Sequence, residues 1–159
     1  MGNITIAPIG YVKSTRVEAV DDDWDQETSY IELDSHYESD ALSGLSEFSH
    51  IEVIFFFNKV DKSNINVGSR HPRNNSEWPK VGIFAQRGKN RPNRLGVTIC
   101  RVVGVDKNKI YVQGLDAIDN TPVIDIKPVM AEFLPRGTVA QPEWSKEIMS
   151  GYWGESTDQ

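Results

Sequence analysis

The chain has 159 residues, 38% hydrophobic and 25% charged, a composition that supports one folded domain with its own core and excludes a disordered chain. Its longest apolar run, "VIFFF" at 53–57, is far too short for a membrane helix, and the opening "MGNITIAPIG" lacks the basic and apolar stretches of a secretory leader. The single cysteine, Cys100, excludes an internal disulfide framework, so a cytoplasmic protein without membrane association is expected.

Charge is unevenly spread. Residues 70–94 carry seven Lys or Arg against Glu77 alone, a local balance of +6, which leaves −12 for the rest of a chain whose net charge is −6. A non-specific nucleic-acid coat would be basic across a whole face. The pattern predicts one focused positive site on an acidic body.

In chain order, "ITIAPIGYV" (4–12) and "SYIELD" (29–34) read as strands separated by the acidic "AVDDDWDQ". "SDALSGLSEFSH" (39–50) allows a helical turn ending near Gly44. In "HIEVIFFFN", Ile51, Val53, Phe55 and Phe57 share one face and Ile54 and Phe56 the other, which predicts a strand buried on both sides. Residues 61–79 are polar, carry Pro72 and Pro79, and read as a long loop. "LGVTICRVVGVD" and "KIYVQGLD" flank "DKNK" as a hairpin. "TPVIDIKPV" (121–129) is a further strand, with Ile124 and Ile126 on one face and Asp125 and Lys127 on the other. "QPEWSKEIMSGYW" starts a helix at Pro142 and spaces Trp144, Ile148 and Tyr152 four apart. The whole predicts one mainly β domain over 1–159: a β-barrel or curled sheet with its core in 5–135, then a short C-terminal helical tail at about 141–153.

Several chemistries are excluded by the motifs. His36, His50 and His71 are scattered, and none sits at a metal-ligand spacing from Cys100, so no metal is expected. There is no G-x-S-x-G, no phosphate-binding P-loop and no G-x-G-x-x-G after the first strand.

Three clusters remain. "SRHPRNN" groups Arg70, His71 and Arg73, either as a solvated basic loop or as a binding surface. "FAQRGKNRPNRLG" packs Arg87, Lys89, Arg91 and Arg94 with Asn90 and Asn93 around Pro92. Guanidinium forks there suit a carboxylate or phosphate. "GLDAIDNTPVIDIKP" offers Asp116, Asp119 and Asp125 as hydrogen-bond acceptors or general bases, although Asp119 with Asn120 also reads as a turn former. Trp24, within "DDDWD", either packs elsewhere in the fold or offers its face to a flat ligand. Cys100, mid-strand, reads as inert core.

Taken in order and spacing, "IGYVKS", "GLSEFSHIEVIFFF", "HPR", "VGIFAQRGKNRPNRLGVT" and "GLDAIDNTPVIDIKP" closely resemble the TsaA-like family, which includes the TrmO tRNA methyltransferases. The resemblance runs from about residue 5 to residue 129. It implies a non-Rossmann, β-barrel methyltransferase that uses S-adenosylmethionine, works as a homodimer, and methylates N6 of threonylcarbamoyladenosine at position 37 of tRNA. By the same resemblance, Asp23, Trp24, Asn58, Lys59, Arg87, Val97, Asp116, Ala117, Ile118 and Asp119 fall at cofactor contact positions, with Asp116 or Asp119 the candidate catalytic base. Arg70, His71, Arg73, Arg91 and Asn93 are the candidate substrate contacts. Asn58 and Lys59 stand where the family carries a histidine, and "DDDWD" where it carries a Pro/Arg-containing loop. Asn120 replaces a glycine and Arg94 a proline. Two other readings stand beside it: a methyltransferase on another RNA or a small molecule, which the acidic surface favours, and a non-catalytic regulator that binds S-adenosylmethionine.

Overall fold

The computed structural model describes residues 2–154. Among them are eight strands: β1 (Gly10–Lys13), β2 (Thr28–Leu33), β3 (His50–Phe56), β4 (Ser69–Arg70), β5 (Val81–Gly82), β6 (Leu95–Asp106), β7 (Lys109–Gln113) and β8 (Pro122–Pro128). One α-helix follows, α1 (Glu143–Met149). Six strands close into an antiparallel barrel in the order β1-β2-β7-β6-β3-β8, while β4 and β5 form a separate two-residue ribbon. The mainly β barrel expected from the sequence is therefore present, as are the hairpin turning between Asp106 and Lys109 and the helix beginning after Pro142.

Strand alternation builds the core. Ile31 and Leu33 of β2, Ile51, Val53 and Phe55 of β3, and Ile110 and Val112 of β7 point inward and are buried. Each such side chain contributes about 1.5–3 kcal/mol on burial. Closure needs β1 to lie tightly on β2, and Gly10 permits it: a Cβ there would sit 2.2 Å from the Glu32 carbonyl oxygen.

Four expectations need correction. The first strand is only Gly10–Lys13, and Ile4 and Ile6 lie exposed outside it. The helix ends at Met149, so Tyr152, expected on its apolar stripe, lies beyond it. The outer face of β3 is only half-buried at Ile54 and Phe56, with the Arg94 guanidinium 4.6 Å above the Phe56 ring. In β8, the residues on the core side are Val123 and Ile126, not Ile124 and Ile126. The register explains this: Ile54 pairs with Asp125 but Phe55 with Val123, so Ile124 is an extra, bulged residue. A bulge shifts every side chain beyond it to the other face. Val103 is skipped in the same way in β6.

The segment 61–79 holds β4 and short 3-10 turns but is otherwise irregular, as a long loop should be. No helix among the described residues is long and apolar enough to cross a membrane.

Candidate functional site

One centre is organised by Asp116, in the loop between β7 and β8. Thr98, from the inward face of β6, donates its hydroxyl to Oδ1 of Asp116, and Tyr152, beyond α1, donates its phenol to Oδ2. Leu115 and Ala117 on either side are buried, which fixes the loop backbone. Arg87 reaches β6 through a 2.7 Å hydrogen bond from Nη2 to the Val97 carbonyl, and its charge also faces the Tyr152 phenol. Burial first, then the Asp116 charge and hydrogen bond, raise the Tyr152 pKa well above its ordinary value, so the phenol remains a donor. Cys100 lies buried close by. Desolvation, with a smaller contribution from Asp116, pushes its thiol up to about 12, as expected of inert core.

The acidic loop forms one wall. Trp24 is buried, with the Arg16 guanidinium 3.6 Å above its ring, so it packs within the fold and offers no free face to a flat ligand. Arg16 also donates to the carbonyls of Asp22 and Asp23. The N–H groups of Asp23, Trp24 and Asp25 donate in turn to the carbonyls of Gly151, Tyr152 and Trp153, at 3.1, 3.0 and 3.1 Å. Asp25 also pairs with Arg101 of β6 at 3.0 Å.

Most of the basic segment is engaged inside the fold. Arg70 donates to the His71 carbonyl and to Asn74 Oδ1, and His71 meets the Trp78 carbonyl through Nδ1 at 2.8 Å. Arg73 pairs with Asp21 and Asp22. Arg91 donates to the Gln86 carbonyl and Arg94 to the Val60 carbonyl. Lys80 and Lys89 make no hydrogen bond or ion pair among the described residues. These arginines thus shape the loops, and only Arg73 among them meets a carboxylate. These loops also hold the backbone off its ordinary basins: Asp23, Arg73, Asn74, Asn93, Arg94 and Asn120 all have positive φ. Non-glycine residues in that region mark functional sites when the surroundings hold them there.

The remaining candidates make no hydrogen bond to Asp116 among the described residues. Asn58 and Lys59 are exposed in the turn after β3 and form no hydrogen bond to Arg87 or Asp116 among the described residues. Asp119 accepts from the Ser14 N–H at 3.0 Å and from Asn120 Nδ2 at 3.2 Å, while its own N–H donates to the Arg16 carbonyl. It braces the 13–16 segment. The Ile118 carbonyl accepts from Thr121, a turn bond.

The match to the family model for the tRNA-methyltransferase O N-terminal domain spans residues 20–133. This chain belongs to that family. It is 40% identical over 93 residues to the mouse tRNA (adenine(37)-N6)-methyltransferase, covering 58% of this chain and 21% of that one. It is 38% identical over 130 residues to a probable S-adenosyl-L-methionine-binding protein of Methanothermobacter thermautotrophicus, covering 79% of this chain and 89% of the other. Among solved structures, TrmO of P. aeruginosa superposes with a TM-score of 0.73 at 25% identity, over 91% of this chain and 62% of that one. The chain therefore spans about a fifth of the mouse relative and less than two thirds of the bacterial TrmO.

Of the positions expected from sequence, Arg87 and Val97 are in direct contact, Asp116 is joined to β6 through Thr98, the neighbour of Val97, and the Asp23 and Trp24 backbone meets the tail that carries Tyr152. Two groups at this centre escaped the sequence reading. Thr98 looks like an ordinary strand residue, and Tyr152 reads only as one member of a helical stripe. No local signal ties either to Asp116, because both contacts are long-range.

Proposed function

We propose that this TrmO-family chain binds S-adenosylmethionine beside Arg87 and Asp116 and methylates N6 of adenosine 37 in tRNA, with threonylcarbamoyladenosine as the acceptor. One observation carries the reading: a carboxylate (Asp116), a guanidinium (Arg87) and a row of main-chain N–H donors (Asp23–Asp25) converge on one barrel end. An amino-acid group presents a carboxylate and an ammonium, which such a set of donors and acceptor fits. When bound, the cofactor supplies a methyl carbon made electrophilic by its sulfonium. The chain's own residues bind and orient. Arg87, fixed on Val97, supplies a positive charge of set direction. Asp116 supplies a fixed negative charge, since Thr98 holds one of its oxygens and the buried neighbours Leu115 and Ala117 fix its loop. Buried Leu115 and Ala117 keep water from the inner side of the loop. Positioning of this kind is the main protein contribution to a displacement between two bound groups.

A homodimer and a cytoplasmic location belong to the same reading, on the family resemblance. Trp144, Ile148 and Tyr152 are each half-buried on their own chain, so Phe84 and Phe133, both largely exposed, are the better contact candidates. Light scattering at micromolar concentration should give twice the chain mass; a monomer with full activity removes the dimer.

The discriminating experiment compares labelled methyl transfer into tRNA bearing threonylcarbamoyladenosine with transfer into the same tRNA lacking it. Transfer only to the first is expected, and equal labelling of both overturns the acceptor assignment. A second reading, binding without transfer, draws on the M. thermautotrophicus relative, whose name states binding alone and which this chain covers almost fully. Absence of turnover on any RNA despite tight cofactor binding would favour it.

A further inference from the structure

We propose that residues 150–154 form an inhibitory latch, docking on the groups that hold the cofactor and swinging away before it binds. This rests on the cofactor reading above. The latch satisfies the site on both sides. Three successive carbonyls, of Gly151, Tyr152 and Trp153, fill the N–H donors of Asp23, Trp24 and Asp25. Successive main-chain N–H donors beside a residue of positive φ, as at Asp23 (φ 67°), are the kind of array that takes anionic or carbonyl oxygens. On the acceptor side, the Tyr152 phenol occupies Asp116 Oδ2. Carbonyl oxygens and a hydroxyl proton thus stand in for the carboxylate and ammonium of an amino-acid ligand.

The tail is also built to leave. Residues 135–141 are exposed throughout and make no main-chain hydrogen bond among the described residues, and Gly137 turns at φ 91°. Beyond that free span, α1 is tied to the body by one side-chain hydrogen bond, Trp78 Nε1 to Glu147 Oε2 at 2.7 Å. Segments with exposed backbone and few anchors open at the lowest cost.

The test uses the full chain: deuterium exchange with and without saturating S-adenosylmethionine, and calorimetric titration of the wild type, Tyr152→Phe and Glu147→Ala. The cofactor should speed exchange across 143–154. Freeing Asp116 of its phenol removes a hydrogen bond to a charged group and raises the open fraction, so Tyr152→Phe should bind about tenfold tighter. Glu147→Ala, a surface change that leaves the core untouched, should bind about threefold tighter. Slower exchange across 143–154 on binding, or two variants no tighter than wild type, overturns the latch and leaves the cofactor assignment standing. No binding by any of the three proteins removes both.

Discussion

Thr98→Val isolates the bond on which the Asp116 centre is built. Valine matches threonine in shape and suits the strand, and Thr98 is almost wholly buried, so no cavity opens and no exposed group is created. What disappears is the hydroxyl donor to Asp116 Oδ1. A hydrogen bond to a charged group is worth about 1.5–3 kcal/mol, and Tyr152 still serves the other oxygen, so a loss near 1.5 kcal/mol is expected. With a urea m-value of about 2 kcal/mol/M for a domain of this size, the midpoint should fall by about 0.7 M at unchanged m. The cycle with Asp116→Asn gives the coupling: direct contact predicts an interaction energy of at least about 0.5 kcal/mol. Thr98→Ser, which keeps the hydroxyl, should recover most of the coupling. An unmoved midpoint for Thr98→Val, or the same destabilisation with and without Asp116, would refute the claim that Thr98 holds this carboxylate.

Arg87→Lys keeps the charge but loses the planar fork that spans Val97 and the site, and should weaken cofactor binding by about tenfold; Lys89→Ala, without partners in the fold, should leave it unchanged. Equal titration curves for the two variants would reduce Arg87 to another loop cation. Cys100 carries a raised folded pKa, so the folded state binds its proton more tightly than the unfolded state does. Its contribution is therefore whole below about pH 9 and is lost as pH rises towards about 12, by at most about 1.4 kcal/mol per unit. Urea melts at pH 8 and pH 10 should show a shallower fall for Cys100→Ala than for wild type, the remainder including the raised Tyr152. Because the arginines of the basic segment already donate hydrogen bonds within the fold, affinity for generic RNA should fall only gently with salt, with a log–log slope matching about two contacts at about −0.7 each. A slope steeper than about −4 would mean that Arg70, Arg73 and Arg91 leave their partners to meet phosphate.

The sequence by itself determined what local pattern can encode. Alternating apolar residues marked β2, β3, β6 and β7; "DKNK" marked the hairpin; Pro142 marked the helix start; and the ordered motifs carried the family. These signals survive in one dimension because they depend on neighbours two to four residues apart. The tertiary structure decided whatever depends on a distant partner. Ile124 turned out to be a bulge because β8 must meet β3 in a register that its own alternation does not contain. Trp24 went inside because Arg16 covers it, and the arginines of 70–94 were drawn to carbonyls and aspartates that composition cannot pair with them. Tyr152 reached Asp116 because barrel closure and the loops around its end bring the acidic loop, the β7–β8 loop and the chain's end to one place. Charge and hydrophobicity are properties of residues, but which donor meets which acceptor is a property of the closed barrel.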